Sequence, residues 1–212
     1  MGGGSFDVVI VGAGFSGLYA LHRLRADGFS VRLVEASSGI GGVWQNNRYP
    51  GARVDSHVPN YEYSLPEVWK DWTWTERFPG RDELLAYFEH VDDVLDLRRD
   101  IDLDTRIVSA RFDADAGRWR LTSSAGSEYD ARFVLMCTGF GSKPYTPELP
   151  GLDDFTGTCH HTATWPEDDV DFTGKRVGVL GTGASGVQVV QEAARDAAHL
   201  VVFQRTPVTA LQ

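Results

Sequence analysis

A chain of 212 residues with 42% hydrophobic and 24% charged residues has the composition of a globular protein, with length for one full domain and part of a second. Its net charge is −10, with 30 acidic side chains against 20 basic ones, and no basic cluster exceeds a few residues. That balance argues against nucleic acid as the main partner, while a small anionic cofactor can still be bound locally.

Met1–Ser5 lacks the basic-then-apolar pattern of a secretory signal, and Phe6 stands where a myristoylation motif wants Ser or Thr. These residues are expected to form a disordered leader. Phe6 to Val11 is an apolar, β-branched run ending in glycines, which predicts a buried parallel strand. Leu18, Leu21 and Leu24 recur at helical spacing, with Gly28 placed to end that helix. Ser30 to Val34 predicts a second strand closing on Glu35. From Ala36 to Gly80 there is little periodicity but many rings, including Trp44, Trp69, Trp72 and Trp74. A long structured loop is expected there, with the last three tryptophans as aromatic core beneath it.

Leu84, Leu85, Phe88, Val91 and Leu95 mark an amphipathic helix. Ile107 to Phe112, Trp119 to Thr122 and Tyr129 to Cys137 then predict a β-meander. Gly141 to Gly151 is Pro- and Gly-rich, a linker by composition. Arg176 to Leu180 predicts a strand, Val187 to Ala197 a helix and Leu200 to Phe203 another strand. The fold expected is α/β with two dinucleotide-binding, Rossmann-like units, the first carrying the β-meander and the second incomplete at the C-terminus. The boundaries are 1–143 for the first unit, 144–174 for the linker and 175–212 for the second. No apolar run approaches the roughly 20 residues that span a bilayer, so no membrane partner is expected and cytoplasm follows by default. Cys137 and Cys159 are too far apart for a CxxC pair or a zinc knuckle, and no metal is expected.

Each predicted unit carries GxGxxG where a strand becomes a helix: Gly12-Ala13-Gly14-Phe15-Ser16-Gly17 and Gly181-Thr182-Gly183-Ala184-Ser185-Gly186. The first glycine makes the tight turn, the second lets backbone approach a pyrophosphate, and the third allows helix–strand packing. The helix N-terminus then offers unpaired N–H groups to the anion. The second strands end differently. Glu35 closes the first, where a carboxylate can accept from ribose hydroxyls and would repel a 2′-phosphate. Arg205 and Thr206 close the second, and a guanidinium there suits a 2′-phosphate, though it is also what a solvated strand end carries. Opposite selectivity in one chain points to a flavoprotein, with FAD in the first site and NADP(H) in the second.

Two longer strings extend this reading. Residues 155–166 fit FxGxxxHxxxWP at Phe155, Gly157, His161, Trp165 and Pro166. Gly41-Gly42-Val43-Trp44, Tyr49-Pro50-Gly51 and Asp55 fit GGxWxxxxYPGxxxD. On these motifs the chain resembles the flavin-dependent Baeyer–Villiger monooxygenases, and more loosely their phenylacetone and cyclohexanone type, from Phe6 to Pro207. The resemblance implies that NADPH reduces FAD, that a C4a-peroxyflavin forms with O2, and that a ketone substrate becomes an ester or lactone. It implies that Val43, Trp44, Asp55 and Tyr61 line the flavin, with Asp55 also orienting an active-site arginine in a catalytic role. Arg53 would approach the nicotinamide half of NADP, Thr182 to Gln188 with Arg205 and Thr206 would hold its phosphates and ribose, and Val108 would meet the adenine end of FAD. His161 is expected to make structural hydrogen bonds rather than perform acid–base chemistry, and Trp165 and Pro166 to pack. Asp55 has a plainer alternative as a turn residue.

Members of that family run several hundred residues further. The chain is therefore expected to be a fragment, or to have the remainder, including the active-site arginine, lost, disordered or supplied by a second chain. Alone it is expected not to oxidise ketones. Rival readings are an N- or S-oxidising flavin monooxygenase, whose linker motif typically lacks the Trp165-Pro166 ending, and a non-catalytic dinucleotide-binding module. A two-dinucleotide disulfide reductase would need a CxxC.

Overall fold

The computed structural model describes residues 3–141 and 143–208. The chain runs β1 (Gly4–Val11), α1 (Phe15–Ala26), β2 (Val31–Val34), α2 (Val43–Asn46), α3 (Pro66–Trp69), α4 (Arg81–Leu95), β3 (Ile101–Asp102), β4 (Ile107–Asp113), β5 (Arg118–Ser123), β6 (Glu128–Met136), β7 (Arg176–Leu180), α5 (Ala184–Asp196) and β8 (His199–Phe203). It divides into two compact units. One comprises residues up to Gln45 with 63–73 and 84–142; the other comprises 46–62, 74–83 and 143–212.

The first unit is built on a six-stranded sheet in the order β3-β2-β1-β6-β5-β4. The first four strands are parallel, and β4, β5 and β6 form the antiparallel meander, so β6 belongs to both halves. Val8, Val9 and Ile10 of β1 are buried, as a strand covered on both faces requires. Helix α1 buries Leu18 and Leu21. It ends where Gly28, at φ +86°, lets the N–H groups of Gly28 and Phe29 return to the carbonyls of Arg25 and Leu24, the Schellman arrangement. In α4, Leu84, Tyr87, Phe88, Val91 and Leu95 fall on one face and are buried.

Three expectations need correction. Gly4 and Ser5 are not part of a disordered leader; they extend β1 and pair with Tyr129 and Asp130, while Met1 and Gly2 lie outside the described residues. The stretch 36–80 is not loop alone, since it holds α2, α3 and a 3-10 turn at Val58–Tyr61. Its tryptophans also diverge. Trp72 packs on Tyr87 and His90, Trp74 donates through Nε1 to Glu62 at 2.8 Å, and Trp69 is 44% exposed rather than core.

The second unit contains β7 and β8, paired in parallel across α5, the same β-α-β order as the start of the first. Its buried cluster joins Tyr49 and Ala52 to Val189 of α5, with Trp165 and Val179 packed against it. Among the described residues no helix is long and apolar enough to cross a membrane.

Candidate functional site

Both glycine turns have the shape their sequences require. Gly12 sits at φ +108°, and a Cβ there would stand 2.5 Å from the Cys137 carbonyl oxygen. A Cβ on Gly17 would fall 1.9 Å from the Gly12 carbonyl oxygen, so α1 can start this close to β1 only on glycine. In the second unit Gly181 has φ +98°, and a Cβ on Gly186 would lie 2.3 Å from the Gly181 oxygen. Helix α1 starts from Gly14 and α5 from Gly183, neither with a side-chain cap nor with an acidic residue in its first turn. Two helix N-termini thus present backbone donors and a positive dipole end beside glycine turns, which suits the phosphates of a dinucleotide. The side chains of Ser16 and Ser185, which an anion could also use, sit in those first turns.

Residues outside the motif shape the first turn further. Gly42, at φ +60°, comes so close that a Cβ on it would be 3.0 Å from the Gly14 Cα, and the Gly41 N–H donates to the Ala13 carbonyl at 2.8 Å. The GGxW string therefore lies directly on the GxGxxG turn. Val43 and Trp44 follow in α2, with Val43 43% exposed and Trp44 half-buried. Phe15 turns into a ring cluster, 4.5 Å from Phe88 and 5.6 Å from Tyr63 by centroids, and its carbonyl accepts from the Tyr63 hydroxyl. Val108 is 61% exposed at an irregularity in the β4–β5 pairing.

Glu35 is nearly buried and points inward. Its Oε2 accepts from the Ala13 N–H at 2.7 Å and its Oε1 from the Ser37 N–H at 2.8 Å. Both oxygens brace the glycine turn, leaving each one further lone pair for a ligand. The bond from Ser37, two residues further on, is not specified by the position of Glu35 at the strand end.

In the second unit, Asp55 accepts from the Tyr61 hydroxyl at 2.9 Å. Burial, then the Asp55 hydrogen bond and charge, raise the Tyr61 pKa above the ordinary phenol value, which keeps its proton on the shared bond. The Arg53 guanidinium lies 3.6 Å from Glu76, and its backbone bridges to Gly80. Gln188, expected among the dinucleotide ligands, is buried, with its carboxamide bonded to Tyr49 and Arg53. Thr182 Oγ1 donates to the Thr206 carbonyl at 3.3 Å and accepts from Gln204 at 3.1 Å, tying the glycine turn to the end of β8. Arg205, beside Thr206, is exposed.

The linker string is explained locally. His161 caps a 3-10 turn at Thr162–Thr164 by accepting from the Ala163 N–H through Nδ1, which leaves Nε2–H to donate to the Tyr145 carbonyl at 3.1 Å. Both ring nitrogens are used structurally. The Phe155 ring lies over Gly157, where a Cβ would be 2.5 Å from it, and Trp165 packs on the Tyr49 cluster and near Phe172. Arg48 and Glu167 add an ion pair at 2.7 Å.

A family model described as FMO-like, flavin-binding monooxygenase-like, matches residues 6–211. The chain is 49% identical over 205 residues to cyclopentanone 1,2-monooxygenase of Comamonas sp. (strain NCIMB 9872), covering 97% of this chain and 37% of that protein. It is 44% identical over 203 residues to phenazine N-monooxygenase PhzNO1 of Lysobacter antibioticus, covering 95% and 37%. Among solved structures, an oxidized steroid monooxygenase bound to NADP is 53% identical with a TM-score of 0.88, covering 95% of this chain and 39% of that one. The chain thus spans less than two-fifths of the length of each of these relatives.

Proposed function

The chain belongs to the flavin-binding monooxygenase-like family, and on that premise we propose that it is the cofactor-binding portion of an FAD- and NADPH-dependent Baeyer–Villiger monooxygenase. The reaction inserts one atom of O2 beside a ketone carbonyl and gives an ester or lactone. The observation that carries this reading is the pair of glycine turns, each opening an uncapped helix in a β-α-β unit, together with both longer fingerprints. FAD belongs at Gly12, Gly14, Phe15, Ser16, Gly17 and Glu35, with Val43, Trp44, Asp55, Tyr61 and Val108 as its further contacts. NADP belongs at Gly181 to Gly186, with Arg53, Arg205 and Thr206.

When bound, FAD supplies oxygen activation and NADPH supplies the reducing hydride. The chain's own residues bind and orient. The first-turn N–H groups of α1 and α5 neutralise pyrophosphate charge, and the absence of a carboxylate in either first turn avoids repelling it. Exposed Arg205 offers a guanidinium to a 2′-phosphate, which favours NADP over NAD. Asp55 carries the catalytic assignment, with one oxygen held by Tyr61 and the other available to orient an arginine.

Similarity to cyclopentanone 1,2-monooxygenase supports a ketone as substrate. The phenazine N-monooxygenase supports a second reading, oxidation of an aromatic nitrogen. The two separate in one assay. A complete protein containing this cofactor-binding portion is loaded with flavin and incubated with NADPH, 18O2 and either cyclopentanone or phenazine, and products are identified by mass spectrometry; residues 1–212 alone are expected to give no ketone oxidation. Labelled lactone is the expected result, and labelled N-oxide alone would favour the second reading. A protein that retains no flavin and consumes no NADPH would refute both.

A further inference from the structure

The second-unit contacts give Gln188 a role that its place after the glycine motif does not suggest. It lies in the second turn of α5 and is 7% exposed, with little surface to offer a ligand. Its Oε1 accepts from the Tyr49 hydroxyl at 2.9 Å and from the Arg53 N–H at 3.4 Å, and its Nε2 donates to the Arg53 carbonyl at 3.0 Å. A carboxamide bonded to both backbone groups of one residue imitates a rung of a β-ladder, so the helix side chain acts as a strand partner for Arg53. The turn is pressed against the helix as well. Gly51 has φ +77°, and a Cβ there would meet the Gln188 carbonyl oxygen at 3.0 Å and Glu192 Cγ at 2.9 Å.

The other side of the turn is fixed too. The Val54 N–H bonds the Pro79 carbonyl at 3.2 Å, and the Arg81 N–H bonds the Ala52 carbonyl at 2.8 Å. The Arg53 backbone is thereby bonded to Gln188 while its neighbours Ala52 and Val54 are bonded to Arg81 and Pro79, and its side chain stays 40% exposed. We propose that Gln188 is a positioning residue that locks Arg53 in register with α5, so that the guanidinium and the dinucleotide site at the α5 N-terminus form one preorganised receptor for NADP. This rests on the assignment of NADP to that helix and deepens it. Affinity gained in this way comes from ordering Arg53 before the ligand arrives.

The test is a double-mutant cycle on the flavin-loaded protein, with NADP+ binding read by calorimetry and folding checked by thermal melting. Gln188→Met keeps the side-chain volume and removes all three hydrogen bonds. R53A and Q188M are each expected to weaken NADP+ about tenfold, and the double variant to bind no worse than R53A. A merely structural defect would lower the melting temperature without making the two losses non-additive. Tyr49→Phe removes one bond of the three and covers the case in which Q188M does not fold; its smaller loss, about threefold, should vanish in the R53A background. Losses that add would mean that Gln188 acts independently of Arg53 and would overturn the clamp, as would normal binding by a folded Q188M. Normal NADP+ binding by R53A would overturn the clamp through its partner. Failure of the unmutated protein to bind NADP+ would instead remove the assignment on which the clamp stands.

Discussion

Substituting Glu35 separates bracing of the glycine turn from ligand binding. The two hydrogen bonds, from Ala13 at 2.7 Å and from Ser37 at 2.8 Å, have charge-assisted lengths, and Ala13 is fully buried. Glu35→Gln replaces one oxygen by an NH2 group that cannot accept, so one backbone N–H faces a donor whichever way the amide turns. Leaving a buried donor unmade costs about 1–3 kcal/mol, and the surviving bond loses about 1 kcal/mol when its acceptor becomes neutral. The sum is about 2–4 kcal/mol, a large share of a stability that is about 5–15 kcal/mol for typical proteins. Glu35→Asp keeps the charge but, one methylene shorter, reaches one N–H only, and should cost about half as much. Urea unfolding by circular dichroism at neutral pH, with and without added FAD, provides the measurement. Expected is a midpoint lowered for E35Q in the flavin-free protein, with E35D between it and the unmutated chain. An E35Q variant unfolding within about 0.5 kcal/mol of the original while losing FAD affinity would refute the bracing argument. It would return Glu35 to the role of ribose acceptor alone.

Three further outcomes follow from other contacts. Gly17→Ala and Gly186→Ala each place a methyl against a backbone carbonyl and should cost about 3 kcal/mol or more, with FAD retention lost in the first and NADP+ affinity in the second; equal effects on both cofactors in either variant would contradict the pairing of turn with cofactor. Burial, then the 2.8 Å bond to Asp102, pushes the Tyr129 hydroxyl from 10.0 up to about 12. Because the folded value is the higher one, the stability it contributes is complete below pH 10 and lost as pH rises through about 12, so Tyr129→Phe should flatten alkaline unfolding in that window, followed by absorbance at 295 nm. His161→Ala should lower stability by about 1–2 kcal/mol through the lost cap and Tyr145 bond without removing a limb from the pH–rate profile of the complete protein; disappearance of a limb would assign His161 direct proton transfer.

Much of this architecture is legible in the sequence because its determinants are local. Val8 to Val11, the Leu18–Leu21 spacing and Gly28 specify strand, helix and helix end within a few residues of themselves, and the structure places β1, α1 and its Schellman turn there. What was not legible depends on partners distant in the chain. Gly4 and Ser5 look like a leader until Tyr129 and Asp130 are brought beside them. The two-residue strand β3 has no pattern of its own and exists because Leu33 and Val34 offer an edge. Glu35 reads as a ligand acceptor by position alone; only the packed turn reveals two backbone donors converging on it. Tyr49 and Trp165 belong to two separate fingerprints and Val189 to α5 beyond its glycine motif, and no spacing rule announces that they form one core.

The two fingerprints outside the glycine motifs acquire a common physical meaning from that core. Tyr49-Pro50-Gly51 supplies a tyrosine whose ring is buried with Val189 and whose hydroxyl binds Gln188, and a glycine that permits contact with α5. The linker supplies Trp165 to the same cluster, fixed in place by the His161 cap four residues earlier. An apolar cluster this small tolerates exchange of one hydrophobic residue for another and by itself would leave the turn free to slide along the helix. The buried carboxamide removes that freedom, because any other register would leave polar atoms unpaired away from water. The same logic operates at Glu35, where a buried carboxylate accepts from two N–H groups flanking the first glycine turn. In both units the glycines make room for a close approach, and one buried polar side chain decides where that approach comes to rest.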